Sequence, residues 1–324
     1  WDRPQPLAGS GTLEGLTLGD PALDELLAPA VDWTLAASVM SDRGLSIDRL
    51  TVASAALQAE AEGSVEPDGA VSAAGRLLAP SLAALESLVG LPLSGAADLG
   101  WRLEPAENGL ALSIDGTISE PGLGIDAVDP LFGAEADLVA EMRVGLDGSF
   151  AIDRLTLSAE GAEIDGSMTL AEGRLGSAWT LAVPDLQPVG AALGVTLDGG
   201  AVAQATLAGP LESLALDGGV DLTGLSLDGA ALPDARLTAT LDDLAAGLAG
   251  RATLRTSLAD RPASLAADFS LAEDGGVRIE RIDGDVAGVR LAGGLTVRPD
   301  GLLAGAVTGR AEALAALAPL AGFD

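Results

Sequence analysis

The chain of 324 residues contains no cysteine, no histidine and no tyrosine, and all 17 of its basic residues are arginine. Without cysteine there are no disulfides, so the cysteine content does not indicate a redox compartment. Without histidine or cysteine there is no Ser-His-Asp or Cys-His nucleophile system and no ordinary zinc site. Without lysine there is neither a P-loop lysine nor a Schiff base. We therefore expect a protein that is not an enzyme and that holds no metal or other cofactor.

Aromatic residues and positive charge are also scarce. Aromatics make up 2% of the chain against 48% hydrophobic residues, so its apolar surface consists of Leu, Ala, Val and Ile. The formal net charge of −31 repels phosphate backbones, so we expect no nucleic-acid partner. The same charge argues against flat docking onto anionic lipid headgroups. The longest uncharged run is 13 residues, at positions 199–211. A membrane-spanning helix needs about 18–20 apolar residues, so we expect no transmembrane segment in this chain.

One string of residues recurs along the sequence. LSIDRLTVASA begins at Leu45 and FAIDRLTLSAE begins at Phe150, which is 105 residues later. A looser copy, VRIERIDGDVA, begins at Val277, after a further 127 residues. We therefore expect one continuous repeat array over residues 1–324, with approximate repeats at 22–126, 127–254 and 255–324. The chain starts at Trp1 and stops after a helical segment, so we also expect a section of a longer protein.

An alternating strand follows each copy of this string. Apolar and polar residues alternate with period two, which is typical of a half-buried antiparallel sheet. Asp-Gly occurs ten times, and we expect most of these dipeptides in tight hairpin turns and a few in bulges. The candidate lining residues on the apolar side of the three strands are Leu57, Val65, Ile164, Met168, Leu170, Val289, Leu291, Leu295 and Val297.

At the acid-Arg dipeptide inside the recurring string, the apolar residues switch from one side of the strand to the other. Ile47 and Leu50 fall on opposite sides of a regular strand, and Asp48 and Arg49 lie between them. A β-bulge at this step would re-aim the strand, with the two polar residues as an exposed bulge or an ion pair. About 35 residues further on, each copy predicts a short helix, near Pro80, 185–194 and 311–322.

A sheet with one polar face must bury the other face against something. Ala and Gly interleave with Leu and Val on the apolar side, so that side is shallow. Two such faces curled toward each other leave a channel for acyl chains, where each buried CH₂ contributes about 0.8 kcal/mol. Alternatively, the short helices fill the space. The residues by themselves leave both possibilities open.

The order of parts resembles that of a known family. It runs from DPLFG at Asp129 through DLVAEMRVGLDGSFAIDRLTLSAEGAEIDGSMTLAEGRL to VPDLQPVGAALG, and it is similar to the TamB family of translocation and assembly module subunits, within the AsmA-like group. The resemblance covers nearly the whole chain. It implies a mostly β fold: an elongated, twisted antiparallel sheet curled into a taco-like trough, an open, solenoid-like repeat with a few short helices. It also implies the periplasm of a diderm bacterium, and an inner-membrane anchor and an outer-membrane barrel partner (TamA-like) engaged through parts outside this chain.

We therefore expect a non-enzymatic groove that shields and conducts phospholipid acyl chains between the inner and outer membranes, or assists outer-membrane protein assembly. The alternative is a structural β-solenoid stalk of a passenger or adhesin, with a closed dry core. Such a stalk predicts regular coils of about 20–25 residues, and the spacings of 105 and 127 residues with interposed helices argue against it. A third interpretation is a scaffold that shelters unfolded outer-membrane strands by β-augmentation.

Overall fold

The fold is mostly β: one long, open antiparallel sheet that contains 20 strands in the described residues. The computed structural model describes residues 5–17, 19, 24, 26–40, 44–244, 248–258, 261–271, 276–286, 288–299 and 302–311. The strands are β1 (Gln5–Glu14), β2 (Ala30–Val39), β3 (Leu45–Ala53), β4 (Gln58–Val65), β5 (Val71–Ala79), β6 (Ser94–Ala106), β7 (Gly109–Gly122), β8 (Glu135–Gly145), β9 (Phe150–Ala159), β10 (Glu163–Ala171), β11 (Arg174–Val183), β12 (Leu197–Pro210), β13 (Ala215–Leu227), β14 (Ala230–Ala231), β15 (Ala235–Leu241), β16 (Ala249–Leu258), β17 (Arg261–Leu271), β18 (Val277–Val286), β19 (Val289–Val297) and β20 (Leu303–Ala311).

The chain divides into two compact units, Trp1–Thr169 and Leu170–Asp324. In the first unit, β1 to β9 form an antiparallel meander in which each strand pairs with the next one in sequence. In the second unit, β11 to β20 do the same, except that the two-residue β14 lies beside β13 and β13 pairs onward with β15. The predicted antiparallel sheet is confirmed.

The spacing of 105 residues corresponds to a unit of six strands and a short helix. Strands β2 to β7 occupy the same relative positions as β8 to β13. Strands β15 and β16 then precede the third copy, which starts at β17, and they account for its longer spacing of 127 residues. Because neighbouring strands in this sheet are antiparallel, an insertion of two strands leaves the chain direction of the recurring strand unchanged.

All three copies of the recurring string contain the predicted β-bulge. In β3 the pairing with β4 shifts between Ile47 and Leu50, and in β9 the pairing with β8 skips Asp153. In β18 the pairing with β19 shifts between Ile279 and Ile282. The extra residue restores parity, so the apolar side chains before and after the bulge share one face of the sheet.

The Asp-Gly dipeptides were predicted mainly as hairpin turns, and that prediction is wrong for most of those the structure describes. Only those at 68–69, 147–148 and 228–229 form turns; those at 115–116, 165–166, 198–199, 217–218 and 283–284 lie inside strands. The two at 274–275 and 300–301 lie outside the described residues. Several of the strand glycines are forced by close backbone approach. A Cβ on Gly116 would lie 2.2 Å from the carbonyl oxygen of Asp98.

Two of the three predicted helices are present, and both are short. The segment after β5 forms a 3₁₀ turn, Leu82–Leu85, followed by one α-turn, Glu86–Val89. The segment after β11 forms the helix Gln187–Leu193. The third predicted helix lies outside the described residues apart from Ala311, which ends β20. No helix in the described residues is long and apolar enough to cross a membrane.

Several of the most deeply buried side chains lie in turns or near the ends of strands. The 3₁₀ turn Asp129–Leu131 buries Leu131 and Phe132, which are each 4% exposed. The turn is held against the β9–β10 hairpin, because the amide of Gly161 donates to the carbonyl of Leu131 at 2.9 Å. The helix Gln187–Leu193 packs on β12 through Gly190, where a Cβ would lie 2.7 Å from Cβ of Leu197.

Candidate functional site

The apolar face of the first unit is the candidate site. Strand pairing aligns its side chains into rungs that cross the sheet. One rung runs through Leu50, Ala61, Gly75, Trp101, Ile114, Ala140 and Leu155. The next runs through Ile47, Gly63, Ala73, Leu103, Leu112, Met142 and Ile152. In both rungs the side chains of β4 and β5 are small and those of β6 and β7 are large.

At the paired positions of β1 to β9, no charged residue lies on this face. The same pattern holds in the second unit from β11 to β20, where the only charged residue at an apolar-face position of the described strands is Arg261, at the start of β17. In the strands that the structure describes, nearly every charged residue at a paired position therefore lies on the opposite face.

The apolar face is shielded incompletely. Among the described residues, no large side chain is less than 2% exposed, and the main neighbours of each strand are the strands it pairs with. In the second unit, Val220, Leu237, Leu254 and Leu265 form consecutive members of one rung. Leu237 remains 42% exposed and Leu254 remains 37% exposed. The described helical segments do not cover these rungs.

The opposite face is polar and carries paired charges. Arg143 on β8 donates from Nε to Asp153 Oδ2 at 2.6 Å, and its Nη2 donates to the other carboxylate oxygen. Arg76 on β5 makes the same two-bond contact with Asp98 on β6. The hydrogen bonds from Arg143 lower the pKa of the Asp153 carboxyl, and those from Arg76 lower the pKa of Asp98.

These contacts refine the prediction that the acid-Arg dipeptide forms an exposed bulge or an ion pair. Asp153 pairs with Arg143 on the neighbouring strand and not with the adjacent Arg154. Arg154 donates from Nε to Thr156 Oγ1 at 3.2 Å, and Thr156 donates to Asp165 Oδ1 at 2.9 Å. These groups belong to the polar face, so they do not contact a ligand on the apolar face.

The contact between Thr156 and Asp165 also fixes the two faces of β10. Thr156 lies on the polar face opposite Val139, so Asp165 lies on that face too. Because side chains alternate along a strand, Ile164 and Met168 lie on the apolar face, and both are half-buried. Leu170, two residues further along β10, is half-buried as well.

The other predicted lining residues divide between a strand end, a turn and β19. Val65 is the last residue of β4 and lies opposite Leu45 and Val71 on the apolar face. Leu57 precedes β4 and lies in the β3–β4 turn, where its amide donates to Ser54 Oγ at 3.1 Å. The four predicted residues of β19 share its apolar side: Val289, which is 6% exposed, and Leu291, Leu295 and Val297, which are half-buried.

The predicted set missed the central strands of the first unit. Leu99, Trp101 and Leu103 on β6 and Leu112 and Ile114 on β7 form the middle of the apolar face. The signal was present in the sequence, since ADLGWRLE and GLALSIDG both alternate with period two. In the order of the strands, β4 and β10 are separated by β5 to β9.

No metal site competes with this interpretation in the part of the chain that the structure describes, where no three acidic side chains cluster. Asp285 is used in a turn, where its Oδ1 accepts from the amide of Gly288 at 2.9 Å. Comparison with known proteins gives no family model, no curated protein and no solved structure that matches the chain. The geometry of the apolar face is therefore the basis for a functional conclusion.

Proposed function

We propose that the apolar faces bind the acyl chains of phospholipids, and that the protein is a non-enzymatic conduit or shield for lipid. The observation that supports this proposal best is a continuous, uncharged face that is left partly open in the described residues. A single-layer sheet leaves this surface in contact with water unless something apolar covers it. An acyl chain supplies the missing layer.

The energy available on such a face is substantial. Each buried CH₂ contributes about 0.8 kcal/mol, so eight methylenes contribute about 6 kcal/mol before the entropy of ordering the chain is subtracted. The rungs offer no charged group that would hold one ligand at one point. Binding would therefore depend on chain length and not on a particular head group, and a bound chain would be free to slide along the face.

The finer features of this proposal come from the resemblance to the TamB family. They are a sheet curled into a trough, a periplasmic location and a barrel partner that contacts parts outside this chain. The antiparallel meander favours the trough over the alternative stalk, because a β-solenoid stacks its coils through parallel strands whereas each strand here pairs with its sequence neighbour.

A second candidate activity is assistance to outer-membrane protein assembly by β-augmentation. In the described residues, β1 pairs only with β2, and β20 pairs only with β19. An edge strand presents unpaired amides and carbonyls that can pair with an incoming strand. This activity uses the backbone edge and not the apolar face, so substitutions on the face distinguish the two.

Lipid extraction tests the proposal. The purified chain is extracted with organic solvent, and co-purifying phospholipid is quantified by mass spectrometry. The variant Ile164→Asp with Met168→Asp places two carboxylates on the apolar face of β10, and we expect it to lose most of the bound lipid. The matched control is Ser167→Asp with Thr169→Asp, which adds the same charge to the same strand on its polar face.

The control should retain lipid, and circular dichroism should show strand content in both variants. Equal lipid recovery from the wild-type chain and both variants would contradict the proposal. So would wild-type protein that purifies free of lipid and takes up no short-chain phospholipid on titration.

A further inference from the structure

Arginine is distributed very unevenly along this acidic chain. Residues 1–234 contain 8 arginines and 36 acidic residues, which gives a net charge of −28. Residues 235–324 contain 9 arginines and 12 acidic residues, which gives −3. More than half of the positive charge therefore belongs to little more than a quarter of the chain, the part that contains β15 to β20.

Four of these arginines lie in one rung of the polar face, which we term the arginine row. Strand pairing places Arg236 on β15 opposite Arg255 on β16, and Arg290 on β19 opposite Arg310 on β20. The rung is continuous between the two pairs, through Ser264 and Asp285. All four arginine side chains are exposed.

The two pairs of directly opposed arginines are unfavourable for an isolated sheet, because like charges on opposed residues repel. Nearby acids compensate only in part. Arg236 contacts Asp221 at 3.5 Å, and Arg290 lies opposite Asp285. Arg255 and Arg310 have no ion-pair partner among the described residues, although the chain has 48 acidic residues. The row therefore carries positive charge that the acidic residues beside it neutralise only in part.

The geometry fits a phosphate-type anion. Opposed side chains on neighbouring antiparallel strands start about 4.5–5.5 Å apart, so two guanidinium groups can converge on one tetrahedral oxyanion. The planar guanidinium donates two parallel hydrogen bonds to phosphate oxygens. With strands about 4.8 Å apart, the midpoints of the two pairs are separated by four strand intervals, or about 19 Å. The row therefore offers two anion sites.

The charge of the whole chain favours a compact anion over a polyanion. Repulsion from a net charge of −31 grows with the charge of the partner, whereas contact with a guanidinium pair acts within a few ångströms. We propose that the arginine row binds phosphate groups, either as free phosphate esters or as the head groups of anionic phospholipids. The row lies on the face opposite the apolar rungs, so this proposal does not depend on acyl-chain binding.

Arginine Nε chemical shifts in nuclear magnetic resonance spectra test the proposal directly. We expect inorganic phosphate and glycerol 3-phosphate at millimolar concentration to shift the signals of Arg255 and Arg310, and chloride at the same ionic strength to leave them in place. The signal of Arg251, which contacts Asp268 at 3.7 Å, is the internal reference. Equal shifts with phosphate and chloride, or none with either, would overturn the proposal.

Thermal unfolding of variants gives a second measurement. Phosphate should raise the midpoint of the wild-type chain more than chloride does, and Arg255→Gln with Arg310→Gln should lose that difference. Without phosphate, the same variant should be at least as stable as wild type, because it removes one member of each repulsive pair. Arg251→Gln, the matched control, should keep the response to phosphate. A double variant that still responds fully would overturn the assignment of the row.

Vesicles distinguish the two sources of phosphate. Sedimentation with phosphatidylglycerol in phosphatidylcholine, compared with phosphatidylcholine alone, measures attachment to anionic head groups. Binding that the double variant loses assigns the row to lipid head groups. A response to glycerol 3-phosphate without vesicle binding assigns it to soluble phosphate esters. Absence of both contradicts phosphate recognition, whatever the outcome of lipid extraction from the apolar face.

Discussion

At the scale of single residues, the apolar face depends on glycines that lie beneath tryptophans. Trp101 on β6 lies opposite Gly75 on β5, and a Cβ on Gly75 would lie 2.8 Å from Trp101 Cζ2 and 1.9 Å from the carbonyl oxygen of Glu60. Trp33 covers the edge strand in the same way, since a Cβ on Gly9 would lie 3.1 Å from its ring. The sequence does not show which glycine each ring covers, because that depends on strand register.

Alanine at Gly75 should therefore destabilise the first unit, although alanine is ordinarily the better residue in a strand. We expect Gly75→Ala to lower the free energy of unfolding by about 1–3 kcal/mol, the usual cost of overpacking. The control is Gly218→Ala on β13, where a Cβ would make only an ordinary contact, 3.5 Å from the carbonyl oxygen of Gln204. Urea unfolding measures both. Equal effects at the two positions would contradict the packing argument.

The ion pair between Arg143 and Asp153 predicts a defined pH dependence. Hydrogen bonds from Arg143 lower the pKa of Asp153 in the folded chain, so its stabilising contribution is complete above the unfolded pKa of about 3.9. The contribution is lost as the pH falls through the lower folded value. The stability difference between wild type and Asp153→Asn should be constant from pH 7 to pH 5 and should shrink below about pH 4.

The side chain of Arg143 is 61% exposed and that of Asp153 is 34% exposed, so the difference should be small and should weaken with salt. Combination with Arg143→Gln supplies the control. Once Arg143 is replaced, Asp153→Asn should have almost no further effect at any pH, as measured by urea titration in a double-mutant cycle. A difference that persists unchanged at pH 2.5 would show that Asp153 acts by another route.

At the scale of elements, the bulges show what can be predicted from sequence. The bulge at Asp48 was predictable because Ile47 and Leu50 fall on opposite sides of a regular strand, and only an extra residue brings both onto the apolar face. The pairing also shifts beside Gly95 on β6 and beside Gly199 on β12, at equivalent positions of the two repeats. Neither shift was predictable, because the residues around these glycines are small and show no switch of apolar residues from one side of the strand to the other.

Two single-residue deletions in β3 distinguish the contribution of the bulge to stability from that of the regular strand. Without Asp48, Arg49 lies directly opposite Glu62 and every apolar side chain of β3 keeps its face, so we expect only a minor loss of stability. Without Thr51, regular pairing places Arg49 on the apolar face and Leu50 on the polar face. That deletion should cost on the order of 1–3 kcal/mol, the value of burying a leucine.

Urea unfolding followed by tryptophan fluorescence compares the two deletions, since Trp33 lies opposite Val52 on β3. Thr51→Ala is the control for the side-chain contact that the second deletion removes, because Thr51 Oγ1 lies 2.5 Å from Thr34 Oγ1. If the two deletions were equally costly, the bulge would be a structural requirement and not a means of restoring parity.

At the scale of the whole chain, the sequence predicts the antiparallel class and the repeat, but it does not predict which strands make up each repeat. The three copies of the string fix where the recurring strand lies, and the alternation fixes its two faces. The extra strands β15 and β16 do not follow from the repeat, because a longer spacing fits an inserted loop equally well. Only the period-two alternation of ARLTATL and of GRATLRTS predicts them as strands. The Asp-Gly dipeptides suggested more hairpin turns than they form in the described residues, since glycine also suits a strand that a neighbouring backbone approaches closely.

The uneven charge of the chain makes a final prediction about salt. Self-repulsion of a net −31 opposes folding, and the Debye length falls from about 30 Å at 0.01 M salt to under 8 Å at 0.3 M. Sodium chloride should therefore stabilise the chain. Because residues 1–234 carry −28 of the charge, hydrogen-exchange protection should rise more in β2 to β13 than in β15 to β20.

Asp137 lies opposite Thr117 and Ser158, with no cation at either position. Because it removes one negative charge, Asp137→Asn should stabilise the chain at 0.01 M salt and have no effect at 0.3 M. In the hydrogen-exchange experiment, a loss of protection in β2 to β13 on addition of salt would show that ion pairs outweigh the repulsion.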